Sequence, residues 1–596
     1  MTNGRESHDL WALGDCIVKP LSAGTFLLVR RDTGAAAPLD EVWKPFLRNL
    51  TRFRTLPGHA AAIAGASDQF RGREPSIESA LASMLPTGLF VTARALGEQL
   101  VTAAPAAGEL PPGVLAITTC DRPACLERVL ESMAACQERL GEAIPCEVFD
   151  DSREEVNRLR NAELVAAAAQ RFPVRYLGPA EQEGFLNSLC ARFPEDAEPL
   201  RWLLSRDHPE NRGQPSYGVP LNHLMLRHAG RRLVLVDDDS VLDGWVGRDA
   251  GETPVFEETS ATASVFSDIG EARDSLRRFS GNPLGAHVGA LGSMVGGFLS
   301  GFYPAHAIAG AWGRSGSAEM VDLEPADSRI RSTTNGLLGD PGTDFDFKVI
   351  NLLPATVVTN EDAYRSFRES PRCLFSGSGQ PVLHRQETFQ RATVAGIHLD
   401  PYMAPVLPTG RGEDDMLGFL MRFLYPQDLG LRLPFALEHR PPSARTWIMD
   451  SGALDPSRWV AFAGIKQWLP DVPVPRSLDP AEKMRLAAVG LERLAAGPDA
   501  VQRLSGGRIA GYKSVLADVY SDLVQALESH PDGCDAWKGD IEQVVRHIQG
   551  EFKAPGRIPE AIAQRMVDRV KRYAGAIPAW NRAFAFRRDE GPECSA

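Results

Sequence analysis

The sequence predicts an α/β protein with a mostly parallel central sheet flanked by helices, a small α+β domain before it and a helical region after it. Three observations support this prediction. After residue 112, short apolar runs rich in valine and leucine alternate with helical segments, as in right-handed βαβ units. Hairpin and helix patterns fill residues 1–102. From Asp479 onward, apolar residues recur at the three- and four-residue spacing of helices.

The composition is that of a globular protein with several domains. The 596 residues exceed the size of one hydrophobic core, and hydrophobic residues make up 43% of them. The net charge is −13, and the sequence contains no run of basic residues that would compensate for it. This charge argues against nucleic-acid binding. Nine cysteines without a CxxC pair indicate a reducing compartment. With no signal pattern at the N-terminus and a Gly285–Tyr303 stretch too rich in glycine to span a membrane, we expect a cytoplasmic protein without a transmembrane segment.

Residues 1–102 predict the small α+β domain. Strand-like CIVKP and TFLLVRRD flank a turn at Ser22–Gly24 and predict a hairpin, and a short strand, GLFVTA, follows the helices. This order resembles the winged-helix-like, peptide-binding PqqD type of domain found beside peptide-modifying enzymes; a family-specific cap is the alternative. The proline- and alanine-rich AAPAAGELPP then predicts a linker. The expected helices lie around Leu39–Leu50, Leu56–Ala66 and Ile77–Leu85.

Residues 112–450 predict the central α/β domain. Within it, residues 180–215 are less regular, and residues 250–370, rich in Gly, Ser, Thr and Pro, predict an insertion of loops and short strands. Residues 451–596 predict a helical C-terminal domain. The expected strands are Val114–Thr118, Cys146–Ser152, Val174–Leu177 and the run ending at Asp237, and the expected helices are Pro123–Leu140, Val156–Arg171 and Leu221–His228.

The segment RRLVLVDDDS (Arg231–Ser240) carries the strongest chemical signal. An apolar run typical of a buried strand leads directly into Asp237, Asp238 and Asp239. Ligands of open α/β sheets bind beyond the carboxyl ends of the strands, so three repelling carboxylates at such a place predict a shared cation. Oxygen ligands suit Mg²⁺ or Mn²⁺. An acidic turn without a ligand is the alternative.

Two earlier strands also end in polar loops. ITTCDRP places Thr118, Thr119, Asp121 and Arg122 after the first strand, and VFDDS places Asp150 and Asp151 after the second. Neither GxGxxG nor GxxxxGK[ST] occurs in these loops, so they contain neither a dinucleotide fingerprint nor a P-loop. Carboxylates recur at the predicted sheet edge instead.

The order ITTCDRP, VFDDS, an asparagine-containing helix and VLVDDDS resembles the nucleotide-binding half of the GT-A glycosyltransferases, family 2 in particular, which have a Rossmann-like fold. The resemblance implies that Asp237 and Asp239 form a DxD motif holding Mn²⁺ or Mg²⁺, with Asp239 most directly on the metal. Asp151 would contact the uracil or other base. Two features depart from the family: no arginine precedes Asn222, and no glycine follows the aspartate pair in DDS. Further contacts to the nucleotide-sugar are implied for Thr118, Thr119, Asp121, Arg122, Asp150, Asn222 and Asp238.

The second half supplies two further matches. LPTGRGEDDMLGFLMRFLY places Glu413, Asp414 and Asp415 before an amphipathic helix, where family 2 enzymes carry a Glu-Asp pair whose aspartate is the general base. The resemblance implies Asp414 as the base, with Asp415 its nearest competitor and Glu413 beside them; a helix-capping cluster is the alternative. His439, in FALEHRPP, corresponds to the extra metal ligand of several GT-A enzymes, or it is a structural histidine.

The resemblance implies a metal-dependent, inverting glycosyltransferase of the hexosyltransferase type. Its donor would be a nucleotide-sugar, a UDP-sugar before others, and its acceptor a glycan, a peptide or a small molecule. Acceptor contacts are expected from the insertion at residues 250–370. A nucleotidyl- or phosphotransferase with carboxylate-bound Mg²⁺ and a non-catalytic nucleotide-binding protein stay open as alternatives. The acceptor candidates are Asn335, Asp340 and Asp344 in a predicted loop, Ser332–Asp346, and Tyr303 and Trp312, with a plain polar loop and buried aromatic residues as the alternatives.

Overall fold

A 13-stranded mixed sheet with helices on both faces forms the centre of the protein. The structure is a computed structural model. It describes residues 9–14, 16–22, 24–30, 33–102, 112–140, 143–256, 262–303, 328–342, 349, 352–385, 393–447, 469, 478–554 and 560–590.

The N-terminal residues form a small α+β unit with a hydrophobic core of its own, in which Phe26 and Leu28 from a strand pack against Ile63 and Leu81 from two helices. The predicted hairpin is present as strands 2 and 3 of an antiparallel sheet. Thr55 caps the second helix, because its hydroxyl accepts the Gly58 N–H at 3.1 Å. The strands are β1 (Trp11–Leu13), β2 (Cys16–Ser22), β3 (Thr25–Arg30), β4 (Ala36–Asp40) and β5 (Phe90–Thr92), and the helices are α1 (Leu47–Leu50), α2 (Leu56–Ala66), α3 (Glu74–Met84) and α4 (Ala93–Thr102).

Four parallel strands form the first half of the large sheet. The strands run in the order β8-β7-β6-β9. The chain therefore adds β7 and β8 on one side of β6 and then returns to add β9 on the other side of β6. Such a reversal of strand order leaves a crevice at the carboxyl ends of the two strands that flank it, β6 and β9. These strands are β6 (Gly113–Thr119), β7 (Cys146–Asp150), β8 (Val174–Leu177) and β9 (Arg232–Asp237).

The second half of the sheet is largely antiparallel, so the sheet is mixed and the prediction of a mostly parallel sheet holds only for the first half. Residues 332–339, predicted as a loop, belong to a central strand that pairs with three strands that follow it in the chain. Asp344 and Trp312 lie outside the described residues. The strands are β10 (Ser240–Val246), β11 (Val255–Phe256), β12 (Thr262–Val265), β13 (Arg277–Arg278), β14 (Ile330–Gly339), β15 (Leu374–Gly377), β16 (Val382–Arg385), β17 (Val394–His398) and β18 (Leu429–His439).

Helices cover both faces of the sheet, because its strands are apolar on both sides. Leu115 and Ile117 of β6 face one helical layer, and Val114 and Ala116 face the other. The stretch of residues 180–215, predicted as irregular, contains two helices. The helices of the central domain are α5 (Pro123–Glu138), α6 (Glu155–Ala168), α7 (Pro179–Arg192), α8 (Ala197–Leu204), α9 (Gly218–Arg227), α10 (Ile269–Ser275), α11 (Pro283–Ala290), α12 (Val295–Ser300), α13 (Ala355–Val358), α14 (Glu361–Glu369) and α15 (Glu413–Leu424).

The first and last C-terminal helices pack into the core beside the sheet, whereas the buried residues between Leu516 and Ile548 belong to a separate hydrophobic cluster. In the last helix, Trp580 donates its indole N–H to the carbonyl oxygen of Met403 at 2.7 Å, and Tyr573 donates its hydroxyl to Pro405 at 2.9 Å. Both aromatic side chains are fully buried. The region predicted as a separate helical domain therefore shares its core with the central domain. Its helices are α16 (Pro480–Ala495), α17 (Ala500–Ser529), α18 (Asp535–Lys553) and α19 (Glu560–Glu590).

Within the described ranges, no helix has both the length and the apolar character that a membrane crossing requires.

Glu147 on β7 is a buried carboxylate with three basic partners. Its oxygens lie 2.9 Å from His228 Nε2 and 3.3 Å from Arg227 Nε, and Arg175 also contacts it. Burial opposes ionisation of Glu147, but the hydrogen bond from His228 and the charges of the arginines outweigh it and hold the pKa of Glu147 well below its usual value. Because the folded-state pKa is the lower one, the carboxylate stabilises the fold above about pH 4 and loses this contribution as the pH falls further.

We expect Glu147→Gln to lower the free energy of unfolding by about 3–5 kcal/mol at pH 7, since basic groups lose their buried counter-charge. Urea unfolding at pH 7 and at pH 3 measures the effect, and the difference from wild type should shrink at pH 3. The control is Glu163→Gln, which removes an exposed carboxylate 3.3 Å from Arg160 and should cost less than about 0.5 kcal/mol. Equal unfolding midpoints for wild type and Glu147→Gln at pH 7 would contradict the expectation.

Candidate active site

Strands β6, β7, β9 and β18 bring their polar carboxyl ends to one edge of the sheet. Thr118 is in register with Asp237 across the β6–β9 pair, and Thr119 is in register with Asp150 across the β6–β7 pair. β18 reaches the same edge through β10, since His439 is in register with Ser240. The fold therefore places residues of the motifs ITTCDRP, VFDDS and VLVDDDS around the crevice between β6 and β9.

The three aspartates form the end of β9 and the two-residue turn into β10. Asp237 is half-buried, whereas Asp238 and Asp239 are buried. Thr119 donates its hydroxyl to Asp238 Oδ2 at 2.7 Å. Arg122, just before α5, contacts both buried carboxylates, with Nη2 2.8 Å from Asp238 Oδ1 and Nη1 2.9 Å from Asp239 Oδ2. The guanidinium thus compensates part of the charge of the turn.

The negative charge of the Asp238 carboxylate is only partly compensated. Its Oδ1 receives no well-directed hydrogen bond, although the Arg122 guanidinium is in ion-pair range. Burial raises the pKa of Asp238 to about 7, against the opposing effects of Arg122 and Thr119. The neighbouring carboxylates of Asp239 and Asp237 raise it further. An additional cation at this turn would therefore be electrostatically favourable.

His439 is oriented toward the turn. Its Nδ1 bonds to the carbonyl oxygen of Asp340, which can only accept, so Nδ1 carries a hydrogen. Its Nε2 lies 3.3 Å from Asp239 Oδ1, and two acceptors would repel at that distance unless Nε2 holds a proton or shares a cation with the carboxylate. Burial favours the neutral ring, but Asp239 outweighs burial and raises the pKa of His439. Likewise, burial opposes ionisation of Asp239, but His439 and Arg122 lower its pKa to about 2.

The Asp239–His439 pair fits the chemistry of a divalent ion. Ligating histidines commonly donate their other ring N–H to a carbonyl or carboxylate, as Nδ1 does here. In the described part of the chain, no group of three or more His, Cys, Asp or Glu side chains is arranged to hold a metal. Mg²⁺ and Mn²⁺ sites of transferases often use one or two protein carboxylates and complete their shell with substrate phosphates and water. The pair therefore suits an open site that shares its ion with a substrate.

Asp151 faces the same edge from the end of β7. Its carboxylate accepts the Ser216 hydroxyl at 2.7 Å and lies 3.1 Å from Arg206 Nη1. Burial raises the pKa of Asp151, although Ser216 and Arg206 act in the opposite direction. Neither Arg206 nor Ser216 was predicted as a site residue.

Three residues predicted to contact the nucleotide also make hydrogen bonds that hold the fold. Asp121, at φ 54°, accepts the backbone N–H groups of Arg153 and Glu154, the two residues just before α6. Asp150 is 1% exposed and accepts hydrogen bonds from Tyr176 and two other groups. Asn222 is fully buried, with both amide atoms bonded to the backbone of Val406 at 2.9 Å. The nucleotide contacts of these three residues stay predictions, and in the structure the same side chains also support the loops of the site.

The acidic cluster Glu413–Asp415 forms the first turn of α15. Gly412 precedes it at φ 94°, a left-handed backbone conformation that favours glycine. All three acidic side chains are half-buried, and Asp414 Oδ1 accepts the Asp415 backbone N–H at 2.8 Å. The position suits helix capping as well as catalysis, because carboxylates are favoured at a helix N-terminus.

The loop before α15 is joined to the Asp151 side of the site. Gly410 donates its N–H to the carbonyl oxygen of Pro215 at 2.9 Å, and the Arg411 guanidinium lies 5.5 Å from the ring centre of Tyr217. Ser216, between these two contacts, holds the carboxylate of Asp151. The acidic turn therefore lies on a segment that is bonded to the loop supporting Asp151, the residue predicted to contact the nucleotide base.

A chain of hydrogen bonds supports the aspartate turn from the sheet side. The carbonyl oxygen of Thr393 accepts the Asp237 N–H at 2.9 Å, and its hydroxyl accepts the Asn335 amide at 2.7 Å. Asn335 in turn lies 3.2 Å from Nε2 of the fully buried His287. Asn335, expected to bind the acceptor, is thus engaged in supporting the turn. No spacing in the sequence pointed to Thr393 or His287, since the chain of contacts forms only when β14 and β17 pair.

Two other acceptor candidates are also engaged within the protein. Asp340 is 5% exposed and accepts two hydrogen bonds from Arg445, at 2.8 and 2.7 Å. Its carbonyl oxygen orients His439, so it supports the site through its backbone. Tyr303 donates its hydroxyl to the carbonyl oxygen of Pro254. Neither residue is retained as an acceptor contact.

No protein-family model matches the chain, and no curated protein matches it. Among solved structures, the chain is similar to the mannosyltransferase PcManGT from Pyrobaculum calidifontis, solved in complex with GDP-mannose and Mn²⁺. The two chains share 11% sequence identity, the match covers 82% of this chain and 97% of that chain, and the TM-score is 0.25. A TM-score this low does not establish a common fold, so function has to be inferred from the residues of this chain.

Proposed function

We propose that the protein is a metal-dependent, inverting glycosyltransferase of the hexosyltransferase type. It would transfer a sugar from a nucleotide-sugar, a UDP-sugar before others, to a hydroxyl or other nucleophile on a glycan, a peptide or a small molecule. The observation that carries the proposal is the Asp239–His439 pair beside two further aspartates, at the edge where β6 and β9 end. This arrangement combines a divalent-ion site with the crevice in which α/β proteins bind ligands.

The donor half of the site comprises the aspartate turn and the loops after β6 and β7. Asp239 and His439 would hold the ion, with Asp237 at its side, and Asp151 would receive the base of the nucleotide. When bound, Mn²⁺ or Mg²⁺ would neutralise the charge that develops on the departing diphosphate. Thr119 keeps Asp238 in place behind the turn through its 2.7 Å hydrogen bond.

The acceptor half of the site would be the first turn of α15. Asp414 would remove the proton from the acceptor as it attacks the anomeric carbon, and Asp415 is the alternative base. A single displacement from the face opposite the leaving diphosphate inverts the configuration at that carbon. Holding donor and acceptor together would supply much of the remaining rate enhancement.

The first test is a binding screen of nucleotide-sugars against the full-length protein. UDP-, GDP-, CMP- and TDP-sugars are added with Mn²⁺ or with EDTA, and thermal unfolding is recorded. At a hundredfold excess over its Kd, a ligand stabilises the fold by about 2.7 kcal/mol. We expect one nucleotide class to raise the unfolding temperature with Mn²⁺ and to lose most of this effect with EDTA. If no nucleotide-sugar stabilises the protein under either condition, the proposed function is wrong.

A further inference from the structure

Arg122 occupies the carboxylates at which the divalent ion is expected. We propose that Arg122 is a built-in cation that competes with the metal for the aspartate turn and moves to the diphosphate of the donor when the metal binds. This inference rests on the proposed function and adds a step to it: an exchange of one cation for another at Asp239.

The contacts of Asp239 favour such an exchange. Its Oδ2 lies 2.9 Å from Arg122 Nη1, and its Oδ1 faces His439 at 3.3 Å. Both carboxylate oxygens therefore already face a cationic or hydrogen-bonding group. An ion bound by Asp239 and His439 would bring two further positive charges to within a few ångströms of the guanidinium, and like charges at that separation repel strongly in a partly buried site.

Arg122 is the member of this group that is able to leave. Its side chain is 38% exposed, whereas that of Asp238 is 0% exposed and that of Asp239 is 9% exposed. Thr119 further fixes Asp238 through its 2.7 Å hydrogen bond. The two carboxylates are thus buried and fixed within the protein, whereas the guanidinium of Arg122 is partly exposed to solvent.

The donor provides a new partner for the released guanidinium. Arginine recognises phosphate groups through paired N–H donors, and its charge is not lost on moving between partners. Arg122 also directly precedes the 16-residue helix α5, and a helix N-terminus favours bound phosphate. A diphosphate next to the aspartate turn would therefore receive Arg122 as the metal takes its place.

Two binding measurements on Arg122→Gln test the exchange, because it predicts effects of opposite sign. Mn²⁺ alone, titrated by electron paramagnetic resonance, should bind about tenfold tighter or more than to wild type, a difference of ~1.4 kcal/mol, since the competing charge is gone. UDP, or the nucleoside diphosphate found in the screen, titrated with saturating Mn²⁺, should bind at least about tenfold weaker. A purely structural role of Arg122 would weaken both.

Two further variants make the result interpretable. Arg122→Lys keeps a cation without the paired donors, so its Mn²⁺ affinity should stay within about threefold of wild type while nucleotide affinity falls. If Arg122→Gln does not fold, Arg122→Lys still tests the proposal. Mn²⁺ binding to Arg122→Lys that is about tenfold weaker than to wild type would then overturn the inference. Arg160→Gln, which removes an exposed arginine that pairs with Glu127 and Glu163, should change neither affinity.

The outcomes separate this inference from the proposed function. If wild type binds Mn²⁺ but Arg122→Gln binds it no tighter, the exchange is wrong and the proposed function stands. If wild type binds neither Mn²⁺ nor any nucleoside diphosphate, the proposed function itself is wrong.

Discussion

We expect Asp239→Asn to lower sugar transfer at least about 1,000-fold. Asp239 lies 3.3 Å from His439 and 2.9 Å from Arg122. Replacing its charge by an amide removes the anion that would hold the metal against the departing diphosphate. A loss of about 4 kcal/mol of transition-state stabilisation corresponds to this factor.

The measurement is the release of nucleoside diphosphate from the donor identified in the screen, together with Mn²⁺ affinity. Asp243→Asn is the matched control, since it changes an exposed aspartate on the adjoining strand β10, paired with Arg278 at 2.8 Å. The control should keep wild-type turnover. If Asp239→Asn retained more than a tenth of wild-type turnover at saturating Mn²⁺, Asp239 would not be the principal metal ligand.

The second large effect is expected for Asp414→Asn. Loss of a general base typically lowers kcat by about 10²- to 10⁴-fold, and because Asp414 would act on the acceptor, the affinity for the donor nucleotide should not change. Turnover and nucleotide binding are measured on the same preparation. Unchanged affinity with lost turnover would also argue against a non-catalytic nucleotide-binding protein.

Substitutions of the neighbouring acidic residues separate catalysis from helix capping. If Glu413, Asp414 and Asp415 only stabilise the start of α15, then Glu413→Gln, Asp414→Asn and Asp415→Asn should each cost about 0.3–1 kcal/mol of stability and leave turnover within a few-fold of wild type. If Asp415→Asn shows the larger loss of turnover, Asp415 is the base.

The fold could be predicted from the sequence where local patterns decide it. The apolar run before Asp237 and the strand–helix alternation around Pro123 are local, and the structure contains β9, β6 and α5 at these places. β14 was not predicted, because Ser332–Gly339 consists of residues that also suit a loop. Its identity as a strand depends on hydrogen bonds from β17 and β18, which follow it in the chain by 55 residues or more.

The site shows the same division. Thr119, Asp239 and His439 could be named from the order of motifs, and the structure places them around one turn. Motif order does not reveal which polar atoms the fold itself uses, such as the amide of Asn222, which bonds to the backbone of Val406. Arg206 was not predicted as a site residue, because its ion pair with Asp151 joins residues 55 positions apart and no sequence motif connects them.

The packing of α19 against α8, α9 and α16 has a consequence for synthesis on the ribosome. Trp580 and Tyr573 close a core whose other members, such as Leu224 and Leu233, are made more than three hundred residues earlier. Until the last helix emerges, the nascent chain exposes the apolar side chains of the helices that it covers, and chaperones can occupy this surface. Translation that stops before residue 560 would therefore yield an aggregation-prone product, even though every aspartate of the site would already be present.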